Sequence, residues 1–313
     1  MTKPHLNVSL NPTYYCNFRC SFCYLTEEQL SDRTMLPVEV VAAKIDELRE
    51  HYEIGHVDIY GGEVLLLPQE YLLSLKAVLL ERGIDDIVLV TNLSHVPSIV
   101  HDPDLFISVS YDFEAREKHD LVFNNMFLLT NKFNVLTLAS RKFLDAVTPD
   151  QYVETMNMFP HLAGCEIKPY STNQANTDDV KYTEFEEFVW AVINHPERTF
   201  YFENETQIKE AVAKERNAFS DDHIYITPTG DFAVLEFDKD DHEFFLKVDG
   251  VEGYQDWAHE ELIRVDENDI CSACPYYGSC LSEHLRHVES LEHSCNGFRN
   301  LLERWEAHED GTR

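Results

Sequence analysis

The run LNVSLNPTYYCNFRCSFCY, residues 6–24, decides how this chain is read. Leu6–Leu10 is a short β-rich run, and it leads directly into a loop holding Cys16, Cys20 and Cys23 at spacing C-x3-C-x2-C. Three thiolates gathered where a strand ends are metal-ligand chemistry. Tetrahedral zinc wants four ligands when structural, and no fourth stands nearby. Thiolates also suit iron–sulfur clusters. A cubane held by three cysteines leaves one iron free to bind a substrate or cofactor, as an open catalytic zinc position does. On these residues alone zinc and chance spacing stay open.

Outward from this loop, β-rich runs alternate with helical periodicity as far as about residue 195. The candidate strands are Leu6–Leu10, His56–Tyr60, Ile87–Thr91, Leu105–Ser110, Phe133–Leu138 and Cys165–Tyr170. Pro37 and Pro68 suit first-turn helix positions. Thr148-Pro149-Asp150-Gln151 and Thr183-Glu184-Phe185-Glu186 read as capping boxes. Six strands each followed by a helix predict a parallel α/β layout, a partial (β/α)6 TIM-like barrel, closed or partly closed, with its site at the strand C-termini. Side chains of a strand alternate with period two. Phe106, Ser108, Ser110 and Asp112 therefore share one face and Leu105, Ile107, Val109 and Tyr111 the other. Glu166, Lys168 and Tyr170 likewise oppose Cys165 and Ile167. One face meets helices and the other lines something wet or ligand-filled, whereas a filled barrel would show bulky apolar residues inside. Glu166 and Lys168 are either a buried ion pair or ligand contacts.

The chain has 313 residues, enough for one large domain or two modest ones. Hydrophobic residues at 44% and charged residues at 26% exclude a disordered chain. Its 25 Lys+Arg against 57 Asp+Glu give a net charge of −32. Such a surface repels phosphate backbones, so nucleic acid is a poor partner; it favours cationic partners or serves solubility. No run approaches the roughly 18 apolar residues of a membrane span, and Met1–Leu10 lacks a secretory h-region. The expectation is a soluble cytoplasmic protein without a membrane partner. Its eight cysteines then read as metal ligands or catalytic groups before disulfides.

After about residue 200 the composition shifts. A helix is predicted over Thr206–Phe219, then a hairpin from Ile224–Thr227 to Phe232–Glu236, turned at Gly230-Asp231. Asp221 to Asp269 carries 16 acids and 3 bases, a net of −13. A helical tail is predicted around His284–His308. No internal repeat or low-complexity tract is present.

A second marker stands directly after the second strand: Gly61-Gly62-Glu63. Glycines allow close backbone approach, and a carboxylate suits an ammonium. Cys16-x3-Cys20-x-Phe22-Cys23 together with Gly61-Gly62-Glu63 resembles the radical S-adenosylmethionine superfamily, over roughly residues 5–195. The resemblance implies that Cys16, Cys20 and Cys23 ligate a catalytic 4Fe–4S cluster whose free iron takes the amine and carboxylate of S-adenosylmethionine. Gly61, Gly62 and Glu63 would meet the cofactor's amino group and Phe22 would lie by its adenine. Ser110 at the end of strand four resembles the family's polar contact. Arg141 just past strand five is a candidate for the cofactor carboxylate, and Thr91 and Asn92 at the end of strand three have similar standing. These last positions rest on place rather than motif. The implied chemistry is reductive cleavage of S-adenosylmethionine to methionine and a 5′-deoxyadenosyl radical that abstracts hydrogen from a substrate C–H bond. The protein supplies orientation and excludes water.

Cys271-x2-Cys274-x5-Cys280 and Cys295 form a second set. On spacing alone a zinc ribbon fits. Behind a radical domain, the element resembles the SPASM domain or its shorter relative, twitch, and Thr227-Pro228-Thr229-Gly230-Asp231 resembles that domain's opening hairpin. The resemblance implies one auxiliary 4Fe–4S cluster on Cys271, Cys274, Cys280 and Cys295, and a division into residues 1–199, the barrel, and 200–313, the auxiliary domain. Two departures stand out. His284 occupies a position where a full SPASM domain has cysteine and reads as an ordinary helical residue. No cysteine lies between Cys165 and Cys271, so ligands of a further cluster are missing. Four protein ligands leave no open iron, which argues for electron transfer or structure. Cys165 reads as buried and structural. Relatives of this kind modify ribosomally made peptides or small metabolites such as aminoglycosides, with a reductant such as flavodoxin or ferredoxin. With strand one so near the start, no peptide-recognition domain is expected ahead of it, so a separate protein would deliver a peptide. An iron–sulfur carrier without radical activity is the reading of another class.

Overall fold

The computed structural model describes residues 3–170, 175, 180–219, 221–235, 245–283 and 287–312. Ten strands form one sheet: β1 (His5–Leu10), β2 (Glu53–Ile59), β3 (Ile87–Thr91), β4 (Phe106–Ser110), β5 (Phe133–Ala139), β6 (Leu162–Pro169), β7 (Tyr201–Phe202), β8 (His223–Ile226), β9 (Phe232–Leu235) and β10 (Phe245–Val248). Their order is β10-β9-β8-β1-β2-β3-β4-β5-β6-β7. β1 to β7 run parallel to their neighbours, with helices between. This is the expected α/β partial barrel, and it is open rather than closed.

Alternation makes the two faces different. Ile107 and Val109 of β4, and Cys165 and Ile167 of β6, are buried against the helices. Tyr152, Phe143 and Phe133 pack in that outer layer, and fully buried aromatics contribute much of its apolar area. Thr148 caps the helix Pro149–Met156 as expected: its hydroxyl accepts from Gln151 N at 3.2 Å and its N donates to Gln151 Oε1 at 2.9 Å. The capping box expected at Thr183 lies two residues earlier. The helix is Tyr182–Ile193, and Glu184 reaches back to Lys181 N at 3.2 Å, which leaves Thr183 inside the first turn. Pro37 and Pro68 sit one residue ahead of their helices, at the N-cap.

The helix expected over Thr206–Phe219 is Glu203–Ala213, ended by Lys214 in the left-handed region. The hairpin expected near residue 230 is β8–β9, turned with Gly230 at φ +82°. Its placement was not expected: β8 pairs in parallel with β1, from Asn7–His223 to Leu10–Ile226, so the hairpin and β10 extend the barrel sheet. His284 and its two followers lie outside the described residues, as does the start of the predicted tail; a helix spans Arg299–Thr312. Among the described residues no helix is long and apolar enough to cross a membrane.

At the far edge, β7 covers only Gly164 and Cys165 of β6. Beyond it the buried Asn204 side chain takes the place of a strand. Its Oδ1 accepts from Ile167 N and its Nδ2 donates to Ile167 O, both at 2.8 Å. Asn204→Leu strands two buried backbone groups, and each such loss costs about 1–3 kcal/mol. Denaturant unfolding is expected to show a loss of about 2–4 kcal/mol; an unchanged midpoint contradicts this role.

His56 on β2 lies between Asp58 (3.1 Å) and Asp86 (2.9 Å). Desolvation opposes its charged form, but the two carboxylates outweigh it and raise the imidazole to about 9. A raised pKa means that the ion pairs stabilise fully below the ordinary histidine value and lose their effect as pH rises through about 9. The stability difference between the protein and His56→Gln is therefore expected to be largest near pH 6, on the order of 1 kcal/mol, and to vanish by pH 10. A difference independent of pH contradicts the assignment.

Candidate functional site

The loop leaving β1 is fastened to the segment after β2. Gly62 N donates to Thr13 O at 2.9 Å, and Glu63 N donates to Tyr15 O at 2.8 Å. A Cβ on Gly61 would stand 2.4 Å from Thr13 O, and one on Gly62 2.3 Å from both Tyr14 O and Tyr15 O. The glycines thus admit the cysteine loop itself, a use beyond the cofactor contact that the sequence suggested. Gly61 also has φ +147°, a conformation that suits glycine.

Glu63 is fully buried. Its Oε1 accepts from Thr91 Oγ1 at 2.6 Å and Leu65 N at 2.9 Å, and its Oε2 from Asn92 N at 2.6 Å. Burial pushes its carboxyl up, and these donors pull it back. Both oxygens are occupied by protein donors, so Glu63 ties β2 to β3 rather than offering a free carboxylate. Thr91 and Asn92 join the site by the same contacts. Asn92 Nδ2 continues to Asn17 Oδ1 at 3.1 Å and Cys16 Sγ at 3.7 Å.

Cys16, Cys20 and Cys23 are half-buried. Burial raises all three thiols, Cys16 and Cys23 to about 11. Bare thiolates are disfavoured here, so the set suits a cationic metal centre. N–H donors already point at the sulfurs: Phe18 N to Cys16 at 3.4 Å and Arg116 Nη1 to Cys20 at 3.9 Å. Arg116 was missed in the sequence. Its one signal is Asp112 four residues earlier, with which it forms a buried pair. Phe22 is buried beneath the Arg116 guanidinium, 5.4 Å from the ring centroid, and also faces the barrel interior. Ser110 is half-buried at the end of β4, opposite Leu136. Arg141 points elsewhere: it pairs with Asp145 and Glu184, each at 2.8 Å, and does not line the interior cavity.

The sheet's concave face encloses a cavity of about 690 Å³. Ser9, Asp58, Ser108, Glu166, Lys168 and Tyr225 line it, in keeping with the wet face expected from alternation. Lys168 pairs with Glu166 at 2.9 Å and with Glu283, so the ion pair bridges β6 to the C-terminal segment. His223 Nε2 meets Ser9 Oγ at 2.8 Å; burial lowers the imidazole, which keeps it neutral.

The second set assembles after the hairpin. Asn268 Oδ1 accepts from Ile270 N and Cys271 N, both at 3.0 Å, and its Nδ2 donates to Val288 O at 2.9 Å. That clamp orients Cys271 and holds the returning chain. Cys271, Cys274, Cys280 and Cys295 line one cavity of about 50 Å³. A Cβ on Gly297 would lie 2.7 Å from Cys280 Sγ, so glycine keeps that space open. Burial raises Cys271 to about 11 and Cys280 to about 12. No disulfide joins any of the eight cysteines. Among the described residues no three Cys, His, Asp or Glu side chains are drawn to metal-ligating geometry. The second set nevertheless shares one small cavity, and the first set shares one short loop. Cys165 is buried on the helix side, as expected.

Residues 10–104 match the family model described as Radical SAM superfamily. That span holds the cysteine loop, Gly61-Gly62-Glu63, β2 and β3, and it bears out the resemblance drawn from the sequence. No curated protein matches the chain. Among solved structures, native anSMEcpe with bound AdoMet is similar at TM-score 0.70 and 12% identity, over 98% of this chain and 100% of that one. Streptococcus suis SuiB bound to S-adenosylmethionine is similar at TM-score 0.66 and 14% identity, over 89% and 72%. SuiB bound to precursor peptide SuiA gives TM-score 0.63 and 15% identity, over 92% and 76%. At these identities the likeness is one of fold.

Gly62→Ala cannot keep the loop seated. Thiol alkylation mapped by mass spectrometry is expected to speed up at least tenfold at Cys16, Cys20 and Cys23 while Cys165 stays protected. Unchanged labelling contradicts the docking.

Proposed function

We propose that the chain is a radical S-adenosylmethionine enzyme that modifies a peptide. The observation that carries this reading is the three-cysteine loop docked on Gly61-Gly62-Glu63 at the rim of a polar 690 Å³ barrel cavity. Cys16, Cys20 and Cys23 would hold a 4Fe–4S cluster, with Phe22 and Ser110 flanking S-adenosylmethionine. When bound, these groups would supply reductive cleavage of S-adenosylmethionine and a primary radical able to take hydrogen from a C–H bond. Glu63, Thr91 and Asn92 hold the loop in register with the barrel. The cavity walls exclude bulk water and orient the substrate. Arg141 is less suited to the cofactor carboxylate, since Asp145 and Glu184 occupy its guanidinium.

Residues 200–313 would act as the auxiliary domain, with a second 4Fe–4S cluster on Cys271, Cys274, Cys280 and Cys295. Their shared cavity and Gly297 support this. Four thiolates close that site, which suits electron transfer. A flavodoxin or ferredoxin would supply electrons. The peptide assignment is supported by the fold shared with SuiB, a structure of which holds its precursor peptide. The cavity lining carries Asp58, Glu166, Glu210, Asp222 and Glu283 against Lys168 and Arg216, an acidic excess that would favour a substrate bearing a cationic group, in a basic peptide or an amino sugar.

The test is anaerobic reconstitution with iron and sulfide, then dithionite and S-adenosylmethionine. 5′-Deoxyadenosine and methionine are expected, and both are lost in Cys20→Ala. Basic peptides and aminoglycosides then serve as substrate candidates, read by mass change. Two full clusters without cleavage, with or without these substrates, point instead to an electron carrier. Zinc in place of iron and sulfide overturns both readings.

A further inference from the structure

Asp112 and Arg116 form a buried pair beside the first cysteine set that sequence reasoning passed over. Asp112 is 1% exposed, and its Oδ1 accepts from Leu138 N at 2.5 Å, which anchors it to β5. Its Oδ2 takes Arg116 Nε at 2.7 Å and Nη2 at 2.6 Å. This bidentate grip uses one edge of the guanidinium fork and fixes its plane. The remaining nitrogen, Nη1, faces Cys20 Sγ at 3.9 Å. The flat face lies over Phe22, two residues on from Cys20.

Burying such a pair costs desolvation energy, and on stability alone an apolar replacement of similar volume is often as good. The pair is also not needed to seat the loop, because Gly62 and Glu63 do that through the backbone. What it adds is a cation at fixed range from the thiols. Its direct contact is with Cys20, and its ring partner Phe22 lies between Cys20 and Cys23 in the same loop. Of the side-chain donors described at these sulfurs, Asn92 on Cys16 is neutral and Arg116 on Cys20 carries charge. Hydrogen bonds to cluster sulfurs and nearby charge are the protein's means of setting a cluster's potential.

We propose that Arg116, aimed by Asp112, is the positioning residue whose charge and N–H donor make the cluster at Cys16, Cys20 and Cys23 easier to reduce. This inference rests on the reading of that set as an iron–sulfur site. Reduction adds one negative charge beside Arg116. A cation there favours the reduced form, and the adjacent Asp112 moderates the effect.

The experiment compares reconstituted wild-type protein with Arg116→Gln, Arg116→Lys and Asp112→Asn. Iron and sulfide per chain are measured first, then the midpoint potential of the first cluster by redox titration followed by electron paramagnetic resonance. The background is Cys271→Ala/Cys274→Ala, so that only this cluster contributes. Arg116→Gln is expected to load iron normally but to show a reduced-to-oxidised ratio at least threefold lower at the wild-type midpoint. Arg116→Lys keeps the charge and stays closer to wild type. Asp112→Asn removes the moderating charge and shifts the ratio the opposite way. Should Arg116→Gln fail to fold, Arg116→Met, an apolar replacement of similar volume, takes its place with the same expected loss. Folded, loaded variants with the wild-type midpoint overturn it. Wild-type protein that binds no iron at these cysteines removes the underlying reading, and this inference with it.

Discussion

The site depends on a steric constraint: two consecutive glycines leave room for the backbone of the cysteine loop. With any larger residue at Gly62, a carbon would sit 2.3 Å from two carbonyl oxygens, and the hydrogen bonds to Thr13 and Tyr15 could not form. Once the loop is docked, Glu63 is buried beneath it, and its carboxylate needs the donors of Thr91 and Asn92. Asn92 in turn reaches Cys16. Loop, β2 and β3 are therefore held as one unit. A cluster built there inherits its position from backbone contacts rather than from flexible side chains.

Much of this was legible in the sequence because it is local. The period-two faces of β4 and β6 foretold that Ser108, Glu166, Lys168 and Tyr170 face the cavity while Ile107, Val109, Cys165 and Ile167 meet helices; Asp112, on the same expected face as Ser108, is instead buried with Arg116. The cysteine spacing and Gly61-Gly62-Glu63 marked the site, but not that the glycines also seat the backbone of the cysteine loop. A motif shows that a residue needs room, not what fills it. The placement of β8 beside β1 was not legible, since more than 200 residues separate the strands and hydrophobic pattern does not name a partner. Arg141 was proposed from its place after β5 alone. Tertiary packing brings Glu184 to it, 43 residues away. Arg116 was missed for the converse reason: an Asp-x3-Arg pair in a loop reads as surface charge until burial is known.

One ion-pair network ties the cavity wall to the segment that follows Cys280. Lys168 on β6 pairs with Glu166 beside it and with Glu283, three residues after Cys280. Because β8 and β9 extend the sheet next to β1, the acidic C-terminal segment forms part of the chamber that the barrel strands line. Charge and aromatic side chains, among them Tyr60, Tyr225 and His223, thus surround whatever occupies it. Under the proposed function that arrangement would suit a substrate that is itself cationic.

The central claim is that three cysteines hold a cluster with an iron open to S-adenosylmethionine. Its most direct test is the electron paramagnetic resonance spectrum of the reduced, reconstituted protein before and after S-adenosylmethionine is added, with the C-terminal cysteines replaced by alanine. The account predicts a 4Fe–4S signal whose shape changes on addition and which is absent when Cys16 is also replaced. A signal indifferent to S-adenosylmethionine, or protein that holds zinc and no iron, would contradict it.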